Sequence, residues 1–414
     1  MDDSKKRAEQ NPRGLNVFLE EVRRSPLTVT FLAIFTGLFL GGIIAALTSE
    51  QMYAALRVSL GEGINIGAQA AWNTYRALFL GAFGDPAKIS AAFATGDWLQ
   101  INRALSPFFE SLVQATPYIF AGLAVAFGFR VGLFNIGAEG QIFVGALAAV
   151  WAGVFIKGLP ALIHAPLAFL IGGLGGALWG FVPGWLKAKT GAHEVIITIM
   201  MNYIAFRLSE YLLTGYLRDP NKTTPISAPI ETTAWIPRLF PDPNRFHVGF
   251  FIALGIAYLI YLLLFKTTWG FELRTVGANP SAAHYAGMNI VRSMVITMSL
   301  SGMLAGFAGA NEVLGVNRNL GVAFSSGYGF DSIALALLGN SHPLGVVLAA
   351  LLFGFLRNGA IQMQLTADIP IDIISIIQAM ILAFIAAPAI IRTLYRLKPP
   401  KEVEVAIRSE GESA

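Results

Sequence analysis

The sequence contains no cysteine. That excludes disulfides, thiolate metal sites and cysteine nucleophiles, and it leaves the redox compartment open. Charge is also scarce. Only 13% of the 414 residues are Asp, Glu, Lys or Arg, about half the roughly 25% of a soluble globular chain. The deficit falls in long blocks, several of them about 20 residues long and nearly free of charge, enough to cross a hydrocarbon core of roughly 30 Å. No GxxxxGK[ST] loop is present, which argues against nucleotide hydrolysis by this chain. There is no HExxH, and the five histidines are scattered, which argues against a metal enzyme. No serine sits in a GxSxG elbow. What the sequence has in abundance is apolar side chain, at 55%, and its arrangement predicts an all-α integral membrane protein.

About ten spans are expected. They are Leu27–Leu47, Phe108–Phe129, Asn135–Ile156, Leu162–Leu186, Glu194–Thr214, Val248–Phe265, Ser293–Val313, a short Tyr328–Gly339, Leu344–Gln362 and Ile371–Ile391. The first follows Arg23–Arg24 and exceeds the 7–15 apolar residues of a signal peptide, so it reads as an uncleaved span. Residues 27–391 thus form the transmembrane domain, with tails at 1–26 and 392–414. Thr48–Pro107 is too polar to span. Within it, 68–83 reads either as an amphipathic helix at the outer interface or as a loop packed on the bundle.

The net charge of +4 is explained by basic residues at span edges rather than by nucleic-acid binding. Lys5, Lys6, Arg7, Arg13, Arg23 and Arg24 precede the first span. Lys187, Lys189, Lys266, Arg274 and Arg292, with Arg392, Arg396, Lys398, Lys401 and Arg408, fall on the same side if there are ten spans. The basic-side rule then makes both termini cytoplasmic. The opposite side carries a loop with Pro220, Pro225, Pro229, Pro237, Pro241 and Pro243. Proline at that density favours extended chain, suited to an external partner or to a plain connector.

Three polar clusters interrupt the apolar blocks. Phe134-Asn135-Ile136-Gly137-Ala138-Glu139-Gly140-Gln141 puts two amides and a carboxylate at the start of a span, among glycines. Broken helices of this kind turn freed backbone groups toward a polar cavity; the alternative is that Glu139 lies at the cytoplasmic interface. Glu194, Thr198 and Asn202 recur every four residues and share a helix face, lining a pathway or serving as a cap and an interhelical bond. Asn311, Glu312, Asn317 and Asn319 precede Gly327-Tyr328-Gly329-Phe330-Asp331. That run opens a segment too short to cross, a half-helix with Asp331 near its N-terminus. Two broken elements in corresponding places suggest an inverted repeat. Between spans six and seven, residues 266–292 hold Asn279-Pro280, a helix start, and Gly287, a helix end. This short helix either docks a partner or covers the bundle end.

The runs GLFNIGAEGQIFVGALAA (132–149), GAHEVIITIMMNYIA (191–205), ELRTVGANPSAAHYAGMN (272–289) and GYGFDSIALALLGNSHPLGVVLAALLFG (327–354) resemble the permease family of bacterial ABC importers for nucleosides and simple sugars. That family is related to the ribose and branched-chain amino-acid permeases. The likeness covers about residues 105–395 and the first span. It implies a multi-pass protein of the bacterial cytoplasmic membrane, paired with a second homologous permease, ATPase subunits that bind ATP and Mg, and an extracytoplasmic binding lipoprotein. This chain itself would hold no cofactor. The likeness makes Arg274, Asn279, Pro280, Ala283, Tyr285 and Gly287 the ATPase-coupling residues. For the substrate pathway the expectation is Asn135, Glu139, Gln141, Thr198, Asn202 and Asp331 as hydrogen-bonding groups, with Phe134 and Phe330 as stacking surfaces. FNIGAEGQ is closer to the nucleoside branch than to the ribose branch. His193, where asparagine is usual, and the long 48–107 segment depart from the pattern. An ion-coupled secondary transporter using Glu139 or Asp331 is the alternative; a membrane enzyme lacks an acid–base set, a nucleophile and a metal site.

Overall fold

A computed structural model of the chain describes residues 25–322, 324–367 and 372–397. The basic residues expected before Ser25 and beyond Leu397 lie outside the described residues. The chain divides into two compact units, Tyr75–Asp368 and a smaller one made of Met1–Thr74 with Ile369–Ala414.

In the smaller unit, α1 (Pro26–Leu47) packs against α15 (Asp372–Ala386) and α16 (Pro388–Leu394). Val29, Ala33 and Ile391 form its apolar centre, and the Thr36 hydroxyl lies 2.9 Å from that of Tyr395. The stretch 68–83, expected as an interfacial helix or a packed loop, lies in α3 (Leu60–Phe83), which is flanked by α2 (Glu50–Leu56) and α4 (Pro86–Thr95). Alanine is frequent and proline absent until Pro86, so helix propensity prevails over low hydrophobicity. Asp85 and Asp97 then cap α4 and α5 (Trp98–Arg130), each accepting from the backbone N–H two residues on.

The larger unit is built on α5, α6 (Ala138–Phe155), α7 (Ala161–Thr190), α8 (Glu194–Thr214), α9 (Gly249–Lys266), α12 (Ile290–Asn311), α13 (Tyr328–Leu338) and α14 (Pro343–Ala367). Eight helices among the described residues are long and apolar enough to cross a membrane; a pair bent by 86°, Ser375–Ile385 with Pro388–Leu394, brings the number to nine if it is taken as one span. The short α13, expected as a half-helix, is a further apolar segment. With no hydrophobic drive between helices inside lipid, close packing carries association. The α7–α12 contact shows how: a Cβ at Gly176 would sit 2.7 Å from the Gly306 Cα, so neither position accepts a side chain without pushing the helices apart.

The proline-rich stretch 215–248 holds only a 3-10 turn (Thr232–Ala234) and isolated bridges. It is not free chain. Ile236 N donates to Leu314 O (3.1 Å), Ile230 N to Arg318 O (3.1 Å) and Ser227 N to Leu320 O (2.9 Å). It therefore clamps the segment that joins α12 to α13. Glu231 N also donates to Gly153 O near the end of α6 (3.0 Å).

That clamp fixes the relation of α6 and α13. The C-terminal end of α6 lies against the proline-rich stretch. The C-terminal turn of α13 is held elsewhere: Arg130, the last residue of α5, donates from Nη2 to Asn340 O and from Nε to Ser341 O, each at 3.0 Å. Along α5, Tyr118 touches the start of α13 and Arg130 its end. Those two residues lie about 18 Å apart at 1.5 Å per residue, the length of the half-helix. The helices α6 and α13 start side by side and run to opposite ends of the unit.

Candidate functional site

The meeting point of those two N-termini is the best-defined polar centre of the unit. The approach to α6 is non-helical, Val131–Gly137. Gly132 there has φ +75°, and a Cβ on it would lie 3.1 Å from the Gly277 Cα, so only glycine serves both the turn and the close passage. Asn135 then ties the segment down. Its Oδ1 accepts from Gly137 N (3.0 Å) and Gln141 Nε2 (3.2 Å). Its Nδ2 donates to Gln141 Oε1 (2.8 Å) and Ser301 Oγ (2.7 Å), and Ser301 Oγ donates to Ala124 O (2.6 Å). Asn202 on α8 adds a cap: Oδ1 accepts from Gly140 N (2.8 Å) and Nδ2 donates to Ile136 O (2.9 Å). Thr198 Oγ1 donates to Glu194 O (2.8 Å), while Glu194 pairs with Lys187 (2.9 Å). Asn135, Gln141, Thr198 and Asn202 are all buried. The amides of Asn135 and Asn202 are committed to holding the broken start of α6.

Glu139 joins the two helices. It is 2% exposed. One oxygen accepts from Ser325 Oγ (2.5 Å) and the other from Gly329 N in the first turn of α13 (2.6 Å). A carboxylate between two helix N-termini meets partial positive charge from both, which is how this one is accommodated away from water. Gly329 has no room for a side chain: a Cβ would come within 2.8 Å of the Ala138 carbonyl carbon.

Beside it lies a second group. Tyr118 Oη donates to Asp331 Oδ2 (2.8 Å), and Arg357 on α14 donates from Nη1 to Tyr118 Oη (2.8 Å) and from Nη2 to Ser326 O (3.2 Å). Arg357 Nη1 lies 3.4 Å from Asp331 Oδ2. Tyr328 Oη donates to Gln114 Oε1 (3.2 Å), and its ring packs edge-on to Tyr118 at 5.0 Å. The Arg357 and Asp331 side chains remain 25% and 33% exposed, so this group, unlike the first, is not fully enclosed by the chain.

Sequence reasoning named Asp331 and Glu139 but passed over Tyr118, Ser325, Tyr328 and Arg357. Arg357 carried a usable signal, a lone cation inside an apolar span. Phe134 is 50% exposed and packs at a tilt against Phe129 at 4.6 Å, and Phe330 is 47% exposed.

Further out, Glu110 on α5 takes both Nε and Nη2 of Arg245 from the proline-rich stretch. His247 Nδ1 is 3.1 Å from Arg245 O and its Nε2 is 3.0 Å from the Asn311 amide. Burial pushes the His247 imidazole below its ordinary value, outweighing the two hydrogen bonds.

At the other end of the unit, α10 (Thr268–Ala278) leads into α11 (Pro280–Tyr285). Asn279 caps α11 by accepting from Ala282 N (3.0 Å), Pro280 fills its first turn, and Gly287 at φ +78° ends the turn that follows. Ala283 is fully buried against the chain's own helices, so its side chain is not available to a partner, whereas Tyr285 is 94% exposed. The Arg274 guanidinium lies over the Phe265 ring at 5.2 Å. That ring also meets Arg130 at 5.7 Å and His342 at 5.3 Å. A contact path thus runs from α10 through Phe265 to the residues that end α13.

The family described as branched-chain amino acid transport system, permease component, matches residues 108–386. The guanosine ABC transporter permease protein NupP of Bacillus subtilis (strain 168) is 40% identical over 373 residues, covering 89% of this chain and 96% of that protein. The nucleoside ABC transporter permease protein NupB of Lactococcus lactis subsp. cremoris (strain MG1363) is 34% identical over 315 residues, 74% of this chain and 86% of the relative. The glucose ABC transporter permease protein TsgB13 of Haloferax volcanii is 36% identical over 285 residues, 67% and 75% respectively. No solved structure matches the chain.

Proposed function

The chain belongs to the branched-chain amino acid transport system permease family, and from that premise we propose that it is the membrane-spanning permease subunit of an ATP-driven importer of nucleosides. The observation that carries the substrate class is its near full-length similarity to a guanosine permease. Simple sugars are the second reading, favoured by the similarity to a glucose permease over a shorter stretch.

The ATPase and the extracytoplasmic binding protein are partners that family membership implies, and a second homologous permease completes the pathway. Both termini are cytoplasmic in this reading, so α11 faces the ATPase and the proline-rich stretch faces the binding protein. ATP binding in the partner moves α11, with the exposed Tyr285 as the contact. Arg274 and Phe265 pass that motion to Arg130 and to the end of α13. Because α13 is only 11 residues long and starts at Glu139 and the Asp331–Arg357–Tyr118 group, displacing its far end reshapes the polar centre. Asp331 and Arg357, the partly exposed members of that group, are the side chains of this chain that meet the solute. Asn135, Gln141, Thr198 and Asn202 hold the scaffold around it. Such a rocking movement about a fixed polar site is alternating access.

Co-expression of the chain with an ATPase, a second permease and a binding protein from the same operon tests the assignment. The expected result is a stable complex whose ATP hydrolysis rises with loaded binding protein. Nucleoside uptake by this chain alone, driven by a proton or sodium gradient and indifferent to ATP, would mean a secondary transporter instead.

A further inference from the structure

Glu272 and Arg292 are opposite charges between two spans that the transport mechanism above leaves unused. They line one cavity of about 320 Å³, together with Thr268, Trp269, Asn289 and Ser293. That volume is at the lower end of the range for small-ligand sites, roughly 300–1,000 Å³. Helix periodicity builds the two walls. Thr268, Trp269 and Glu272 belong to the start of α10, and Asn289, Arg292 and Ser293 to the cap and first turn of α12; residues three and four apart share a helix face. Thr267 caps α10 by accepting from Gly270 N (3.0 Å), and Asn289 caps α12 by accepting from Arg292 N (2.9 Å). Two helix N-termini therefore flank the cavity, and both favour negative charge beside them.

The charges on the walls say what the cavity takes. Glu272 and Arg292 do not pair with each other. The ion pairs among the described residues join Lys157 to Glu231, Lys187 to Glu194, Arg207 to Glu210, Arg238 to Asp242, Arg245 to Glu110 and Arg357 to Asp331. An anion alone would meet the Glu272 carboxylate. A cation alone would meet the Arg292 guanidinium and two helix N-termini. A metal ion does not fit, since the described residues contain no cluster of three His, Cys, Asp or Glu groups. A ligand carrying both charges a few bonds apart satisfies both walls. Its phosphate takes Arg292 and the free N–H groups of the first helical turns. Its ammonium takes Glu272 and the Trp269 ring.

The depth of the cavity identifies the source of such a ligand. The apolar run of α9 ends at Lys266, two residues before Thr268, and that of α12 opens at Ile290, directly after Asn289. Both walls thus stand at the edge of a span, the level of the lipid headgroups, where tryptophan is enriched. We propose that this cavity holds the zwitterionic phosphoethanolamine headgroup of a phospholipid, its phosphate on Arg292 and its ammonium on Glu272, bracing α10 against α12 at the membrane surface. The inference does not depend on which solute the chain conducts.

Native mass spectrometry of the purified full-length chain, titrated with dihexanoyl phosphatidylethanolamine, phosphatidylcholine or phosphatidylglycerol, tests it by giving a Kd for each. Phosphatidylcholine has no N–H to donate to Glu272, and phosphatidylglycerol carries no cation. Phosphatidylethanolamine is expected to bind about tenfold more tightly than either, the difference typical of a charged hydrogen bond. Glu272→Ala should bring it to within about twofold of the other two, and Arg292→Ala should weaken all three about tenfold, since all share the phosphate. Arg292 is exposed and Glu272 half-buried, so the melting temperature of either variant should match wild type, which separates lost binding from lost folding. Equal binding of the three lipids by wild type, or a preference that survives Glu272→Ala, would overturn the proposal. So would unchanged lipid affinity with weaker retention of the ATPase in either variant, which would make the cavity a protein-docking site instead.

Discussion

Removing the Glu139 carboxylate should detach α13 from α6. Two bonds are at stake, from Ser325 Oγ at 2.5 Å and Gly329 N at 2.6 Å. Neutral hydrogen bonds between membrane helices average about 0.6 kcal/mol and reach about 1.7; a charged acceptor roughly doubles a bond. The pair is thus worth about 2–3 kcal/mol. Glu139→Ala loses all of it and leaves the Gly329 N–H unpaired. Glu139→Gln retains an acceptor for Gly329 and can donate to the Ser325 hydroxyl, so it loses about 1 kcal/mol, mainly the interaction of charge with the two helix ends. Unfolding of the purified protein in mixed micelles by increasing SDS measures both values. The order wild type, Gln, Ala is expected, with Ala also losing most transport. Glu139→Ala as stable as wild type would refute the idea that this carboxylate joins the two helices, and so would Glu139→Gln as damaging as Ala.

Arg357→Met should lower uptake at least about tenfold by leaving Asp331 without its cation; adding Asp331→Asn should recover part of the loss, so that a double-mutant cycle on uptake is non-additive. Tyr285→Ala should weaken co-purification of the ATPase without changing the melting temperature, because that side chain is 94% exposed, whereas Ala283→Asp should lower the melting temperature itself. Stability should also depend on pH through His247. Its folded-state value lies below the ordinary 6.5, so on acidification the unfolded chain takes up the proton first. The contribution is complete above about pH 6.5 and is lost as pH falls through the lower folded-state value. Melting curves from pH 8 to 5 should therefore decline more steeply for wild type than for His247→Gln; parallel curves would remove His247 as the cause.

The membrane fold was legible because its signal is long-range in sequence. Apolar blocks such as Glu194–Thr214 coincide with their helices, and Asn279-Pro280 and Gly287 mark a helix start and stop by local chemistry. Where the signal was amphipathic rather than apolar, as in Leu60–Phe83, helix and loop were not separable, since burial depends on what the chain packs against. The candidate site divides the same way. Asn135, Glu139, Asn202 and Asp331 stand out as polar groups in apolar runs. Their partners do not: Ser325 lies 186 positions from Glu139, and Tyr118 lies 213 from Asp331. Nothing in local pattern foretells pairings of that separation, and Tyr118 looks like an ordinary aromatic in an apolar helix until Asp331 and Arg357 are brought to its hydroxyl. The proline-rich stretch reads by composition as extended chain, a partner surface or a connector; only its bonds to Leu314, Arg318 and Leu320 show that it holds the approach to α13.

The central claim is that this chain conducts nucleosides under the control of an ATPase it does not contain. Its most direct test is uptake of radiolabelled guanosine into proteoliposomes holding the complete complex, with ATP and binding protein on their proper sides, beside the same complex carrying an ATPase that binds but cannot hydrolyse ATP. The account predicts accumulation that needs hydrolysis and saturates with binding protein. Equal accumulation by the active and inactive complexes, or accumulation that follows an imposed ion gradient, would contradict it.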